Sequence, residues 1–419
     1  MSLLNLASLI TTPNAYKAST LYSIVPTNGN GDMTVVRNTT ATRVNSSRLI
    51  ESVAINVPRL NYDTAGGCPS ILLEPQRTNS LRNSTMQGAN VTTDTIPNFW
   101  SESAIGGLTS TVIGLGTENG LSYIDYRLNG TATTNFAQLA LEGSSVIAGT
   151  VDQNFTFSPY LKVISQPNPP TFYRLLINEF SAAPAVAYLT GGAMAVTPTT
   201  TLQRFSYTRQ NSNAACASVV PYIAFTLVIG QSYDFTIRIA APQFELGAYT
   251  TSYIPTTTTA LTRNADVISR NNIFTNGLIT SAGGTWFFEL NNNLSYIRDT
   301  GSNMFIGTTT DGNNNTSFGI RAGLSTSVFL NFYKRELGAI TASFITSTTN
   351  VKLLVKWSSL SGTADFFVNG VKVIAATPHT TTAMEFFNAN GTDVPKYIKS
   401  MMLFPTPLTD AECISLTTL

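Results

Sequence analysis

In Ser232-Tyr233-Asp234-Phe235-Thr236-Ile237-Arg238-Ile239 the apolar side chains take every second position and the polar ones fill the gaps. That two-residue period is the mark of a strand with one face in a core and one in water. Phe155/Phe157 and Phe205/Tyr207 repeat it upstream. Between such runs lie Gly-, Pro- and Thr-rich turns, and no helix of ten or more residues fits residues 81–268. The spacing predicts a β-sandwich of jelly-roll type over that span.

Downstream, residues 269–419 repeat the theme. Trp286-Phe287-Phe288-Glu289-Leu290 opens with large apolar residues, and Val351, Leu353, Val355 and Trp357 alternate with Lys352 and Lys356. Ala364-Asp365-Phe366-Phe367-Val368-Asn369-Gly370-Val371-Lys372-Val373 is a predicted hairpin, because Asn-Gly supplies the two positive-φ residues of a type I′ turn. Leu408-Thr409-Asp410-Ala411-Glu412-Cys413-Ile414-Ser415-Leu416 carries a capping box, Thr409 with Glu412, at the head of a short helix. Cys413 and Leu416 would face the second sandwich.

Upstream, residues 1–80 are irregular. Leu3, Leu6, Ala7 and Ile10 share one helical face ahead of Thr12-Pro13, which fits a short anchoring helix or an extended arm. Short extended pieces follow at 21–25, 34–37 and 52–57, divided by turns such as Asn28-Gly29-Asn30-Gly31-Asp32. In Gly66-Gly67-Cys68-Pro69-Ser70-Ile71-Leu72-Leu73-Glu74-Pro75-Gln76-Arg77-Thr78-Asn79, three apolar residues between two prolines need cover on both faces. This segment has no core of its own. The predicted fold is therefore all-β: two jelly-roll or concanavalin-like sandwiches, at 81–268 and 269–419, behind an extended N-terminal arm at 1–80 that docks on a neighbour.

Composition narrows the function. Only 11% of residues are charged and the net charge is +1, so no nucleic-acid or anionic-membrane partner is expected. The most apolar run, 219–230, holds Pro221 and falls well short of the roughly 20 residues of a spanning helix. Cys68, Cys216 and Cys413 are too few and too scattered for a disulfide framework or a four-cysteine zinc site. The start, Met1-Ser2-Leu3-Leu4-Asn5-Leu6, has no positive region of the export type. The sequons at Asn38, Asn45, Asn83, Asn154 and Asn390 then read as a by-product of composition.

Candidate chemistry is thin. His379, the only histidine, lies in a Pro-His-Thr stretch without a nucleophile elbow and reads as an exposed loop residue. Glu245, Glu289, Asp311 and Asp365 are the carboxylates to weigh for glycan cleavage; each sits in a strand or turn context and reads as structural. Asp311-Gly312-Asn313-Asn314-Asn315 begins like a calcium loop. Thr316 stands where that loop needs glycine, and Ala322 where it needs its bidentate glutamate, so a hairpin turn explains the run. Sugar binding calls for aromatic platforms among amides. Trp100, Tyr123, Tyr126 and Tyr253 are the candidates, whereas Trp286 and Trp357 alternate into a core. No catalytic, cofactor or metal residue is assigned, and a non-enzymatic protein without a cofactor is expected.

Three sets of residues carry a resemblance. The 66–79 stretch, with Thr40-Ala41-Thr42-Arg43-Val44-Asn45 and Val57-Pro58-Arg59-Leu60-Asn61-Tyr62, resembles a block common in structural proteins of tailed phages and prophages. Gln243-Phe244-Glu245-Leu246-Gly247-Ala248-Tyr249, followed by Thr251-Ser252-Tyr253-Ile254-Pro255-Thr256, looks like the exit of the carbohydrate-binding-like sandwich in those proteins. Phe367-Val368-Asn369-Gly370 and Pro407-Leu408-Thr409-Asp410-Ala411-Glu412 resemble the hairpin and closing helix of the laminin-G/concanavalin-like fold. The resemblance implies a head or tail fibre or appendage on the virion surface. It implies partners too: other copies of the chain, as a trimer, and a capsid or tail protein held by the arm, with host-surface or mucus glycans as ligands. Alternatives are a tail receptor-binding protein or glycan depolymerase, and a bacterial surface carbohydrate-binding protein.

Overall fold

The computed structural model describes the chain outside residues 1–2, 15, 18, 25–31, 64–65, 291–303, 311–316, 325–327, 337–338, 347–349, 380–383 and 391–395. It is all-β, with one α-helix among the described residues, Asp410–Thr417. Two compact units form: Arg77–Arg263, and Met1–Gln76 together with Asn264–Leu419.

The second of these units corrects the expected arm. Residues 1–76 supply strands to the sheets of the C-terminal sandwich. One sheet runs Val371–Pro378, Thr363–Val368, Val351–Ser358, Gly283–Leu290, Lys396–Phe404, Ser70–Leu73 and Arg59–Asn61, with Leu9–Thr11 also paired to Lys396–Phe404. The other runs Ala339–Thr346, Val328–Glu336, Ser317–Leu324, Met304–Thr310, Phe386–Asn390, Val267–Asn271 and Thr34–Val36. Ile71, Leu72 and Leu73 are buried within this chain, and their strand pairs with Lys396–Phe404, Ile71 against Ile398. The stretch around Ile10 is extended for the same reason: Leu9 and Ile10 are both buried, and Ile10 pairs with Met402.

Buried ion pairs hold this junction. Arg59 donates to Glu74 Oε2 at 2.7 Å and to Asp266, and Arg37 donates to Asp266 Oδ1 at 2.8 Å. The Glu74 and Asp266 backbones bond each other's groups as well: Glu74 N–H to the Asp266 carboxylate at 2.9 Å, and Asp266 N–H to Glu74 O at 3.0 Å. Two guanidinium and two carboxylate groups balance, the condition under which such a cluster survives without water. Burial opposes the Arg59 charge, but Asp266 and Glu74 hold its pKa above the ordinary value. Residues of the 57–62 and 66–79 stretches, Arg59 and Glu74, thus lock this junction.

Both faces of Gly283–Leu290 are covered, which explains its unbroken apolar run. Trp286 and Phe288 pack on one side. Phe287 joins Leu354, Phe367, Met402 and Cys413 on the other, with Ala7 and Ile10. The Asn369-Gly370 turn has φ of 46° and 81°, as a type I′ hairpin requires. The Thr409–Glu412 capping box is present at the head of the helix.

The Arg77–Arg263 unit is a sandwich of two five-stranded sheets. The front sheet runs Ser101–Ala104, Phe136–Ala140, Ser218–Thr226, Phe172–Phe180, Tyr188–Val196. The back sheet runs Thr109–Glu118, Leu121–Thr131, Ser232–Ala240, Tyr160–Asn168, Gln203–Arg204. Phe235, Ile237 and Ile239 point inward from the back sheet and meet Leu175, Ile177, Ile223 and Phe225 of the front. Asn79 fastens the entry of this unit to its exit: its amide donates to Ile254 O at 2.9 Å and accepts from Phe244 N–H at 3.1 Å.

Candidate functional site

Since Leu175, Ile177, Ile223, Phe225, Ala137 and Leu139 point into the core, their neighbours along each strand point outward. The register arranges these outward residues in rows across the front sheet. Phe136, Thr226 and Phe172 form the first row. Gln138, Ala224, Arg174 and Ala195 form the second, and Ala140, Tyr222, Leu176 and Ala193 the third. Val220, Asn178 and Gly191 follow, and Ser218, Phe180 and Tyr188 close the face.

Aromatic side chains thus stand at both ends of the face; between them Ala140, Val220 and Tyr222 form a buried apolar cluster with Leu176 and Phe180, and Gln138, Arg174 and Asn178 supply polar groups. Phe136 and Phe172 are 44% and 47% exposed. They lie about 10 Å apart, two inter-strand spacings, with Thr226 between them. At the far end Tyr188 is 60% exposed and meets Phe180 edge-on with ring centroids 6.1 Å apart. Between the ends, Tyr222 is buried, and burial pushes its phenol up to about 12 while a hydrogen bond with Asn178 pulls the other way. The hydroxyl is therefore neutral and able to donate at physiological pH. Gly191 makes room for Asn178: a Cβ there would lie 2.0 Å from Asn178 Oδ1.

Arg174 is the one charged residue in these rows. Its guanidinium carbon lies 5.5 Å from the Phe172 ring centroid. Its Nε is shielded from solvent without a hydrogen-bond partner, and no carboxylate among the described residues pairs with it. Chemically, the face offers two apolar platforms, amide and hydroxyl groups, and one cation.

The aromatic residues singled out from sequence lie elsewhere. Trp100, Tyr126 and Tyr253 are buried at 6%, 2% and 6% exposure. Their polar ends are used internally, by Asn83 O, by Glu102 and by Ser84 O respectively. Tyr123 is half-buried on the outer face of the back sheet, with the Arg238 guanidinium 3.4 Å above its ring. Trp286 and Trp357 are core residues, as expected. The sequence reading missed Phe136, Phe172, Arg174, Asn178, Tyr188 and Tyr222. The signal was in 172–180, where both alternating sets are rich in apolar residues but only one mixes in arginine and asparagine.

The candidate carboxylates do not converge. Glu245 is buried and accepts from Thr251 N–H at 3.1 Å. Glu289 accepts from Ser400 Oγ at 2.9 Å, and Asp365 pairs with Lys372 at 2.9 Å. Glu289 lies opposite Lys352 and Asp365 opposite Lys356, about 13 Å apart along the strand between them, beyond the spacing of a glycosidase pair. Asp311 and the 311–315 run lie outside the described residues. His379 is buried against Phe318, ring centroids 5.0 Å apart, so it is a packed residue and not a free loop histidine. Among the described residues no three His, Cys, Asp or Glu side chains gather as a metal set, and no helix is long and apolar enough to cross a membrane. A separate cavity of about 420 Å³ in the other unit is lined by Glu289, Leu290, Asn350, Lys352, Lys399 and Leu419. Both its lysines are engaged, by Thr418 O and Cys68 O.

No protein-family model and no curated protein matches the chain. Solved structures of similar shape include a CBM4 module, 16% identical, covering 40% of this chain and 100% of the module, TM-score 0.25. The enzymatically active domain of tailspike protein 4 from bacteriophage CBA120 is 12% identical, covering 40% of this chain and 21% of that one, TM-score 0.26. The tripod from the baseplate of bacteriophage Tuc2009 is 12% identical, covering 65% and 97%, TM-score 0.26.

Proposed function

We propose that this is a non-enzymatic structural protein of a phage virion surface, a head or tail fibre that presents the front sheet of its middle sandwich to glycans. One observation carries the binding role: Phe136 and Phe172 stand half-exposed on either side of Thr226, next to a row that holds Gln138 and Arg174. Flat apolar platforms at that separation suit the C–H faces of alternate sugar rings in an extended chain, while Gln138 and Asn178 suit ring hydroxyls. The virion role rests on the phage-like blocks at 40–79 and 243–256. In this reading the unit built from both ends of the chain is laminin-G-like and joins sister copies, as a trimer, and the particle.

A glycan array probed with the purified full chain tests the binding role. Binding that Phe136→Ala/Phe172→Ala abolishes supports it; binding unaffected by that double variant overturns the assignment to this face. Mass spectrometry of purified particles containing the chain tests the virion role.

A further inference from the structure

We infer that the glycan bound on the front sheet carries a carboxylate, which Arg174 receives. The inference rests on the glycan reading above and adds the class of sugar. Elsewhere in the same unit the chain supplies its own counter-charge to an arginine: Arg82 to Glu142 at 2.5 Å, Arg127 to Asp234 at 2.9 Å, Arg209 to Glu179 at 2.6 Å, Arg238 to Asp125 at 2.7 Å. Arg174 has none, although its Nε is withdrawn from solvent. Arg204, which also has no acidic partner, is held instead by Thr251 O at 2.6 Å and Ser158 Oγ at 3.0 Å; withdrawing a guanidinium donor with neither kind of partner is costly, and Arg174 stands open at that cost.

The surroundings show what the opening admits. Across the sheet Arg174 is flanked by Ala224 and Ala195, so no tall side chain fills the space beside it. Phe172 lies against it, and the Phe136–Phe172 row is about 7 Å along the strands, one repeat of the pleat. A sugar ring on Phe172 therefore brings its substituents to the guanidinium. The planar fork of arginine matches a carboxylate with two parallel N–H···O bonds. Gln138, in the same row, and Asn178 add neutral donors. No carboxylate stands in these rows to repel an acidic ligand.

The test uses the full chain and three soluble polymers: polygalacturonate, the same polymer with its carboxyl groups reduced to alcohols, and a sulfated galactan. These are backed by an array of acidic oligosaccharides with their carboxyl-reduced counterparts. The expected result is at least tenfold weaker binding of the carboxyl-reduced and sulfated forms than of the carboxylated form. Arg174→Gln should bring binding of the carboxylated form down to that of the reduced form, and Arg174→Lys should restore only part of the preference. Equal binding of carboxylated and reduced forms by the wild-type chain overturns the inference and leaves the glycan reading standing. Equal binding of the sulfated polymer overturns the assignment to carboxylate. Failure to bind any glycan removes both. The wild-type comparison alone is decisive if either variant fails to fold.

Discussion

The two outer faces of the middle sandwich handle charge in opposite ways. On the back sheet Arg238 is held by Asp125 at 2.7 Å and by Glu118 at 2.6 Å, Lys162 meets Glu118 at 2.8 Å, and Arg127 meets Asp234 at 2.9 Å. Even the half-buried Tyr123 is capped by Arg238. On the front sheet a lone arginine stands between alanines, and phenylalanines stand free at the edge of the row. A face that completes its own interactions has little left to offer a ligand. Counting charged residues alone would point to the back sheet, which is the richer in charge but spends that charge on itself.

The largest expected effect tests the front. Phe136→Ala with Phe172→Ala should weaken glycan binding about 100-fold, close to 3 kcal/mol, as loss of two central anchors does. Calorimetric titration measures this, and an unchanged Tm shows that the platforms serve the ligand. Next, Asp125→Ala on the back sheet removes the main partner of a largely buried Arg238. It should cost about 1–2 kcal/mol in denaturant unfolding and leave binding untouched; a loss of binding instead would mean that the two faces are not independent.

The pH dependence separates the faces again. Burial opposes the charge of Glu118, but Lys162 and Arg238 hold its pKa below the ordinary value. A depressed folded-state value means the stabilisation is complete above the ordinary carboxylate pKa and is lost as pH falls through the lowered one. The Tm should therefore drop between about pH 4.5 and pH 3, and Glu118→Gln should flatten that drop. The smallest effect is expected at Arg127→Ala, whose pair with Asp234 is 40% and 33% exposed; such solvent-screened pairs leave the Tm where it was.

What the sequence made legible follows the range of the interaction. The 232–239 alternation, the Asn369-Gly370 turn and the Thr409–Glu412 cap are set by neighbours within a few residues, and each is present. The partner of Leu9–Thr11 lies near the other end of the chain, at Met401–Leu403, and nothing local announces it. Hence the first eighty residues read as an arm in search of another molecule. The candidate face was hidden for a related reason. Phe136 and Phe172 become one row only when Thr226 is placed between them, and register across three strands is not written in any one of them. Tryptophan and tyrosine in turn-like settings drew attention first, and the fold uses most of those as packing.

The pairing of Arg77–Asn79 with Leu261–Arg263 gives the middle sandwich a closed doorway: the chain leaves it beside where it came in. Such a cassette can be replaced by another of different specificity without disturbing the strands that precede and follow it. During synthesis it also sets an order. Arg59 waits for Asp266 through the making of 206 intervening residues, so the Arg77–Arg263 sandwich can be finished on the ribosome before the other unit is. A truncation anywhere after Arg263 should thus leave the Arg77–Arg263 sandwich folded while the unit made from the two ends of the chain stays incomplete.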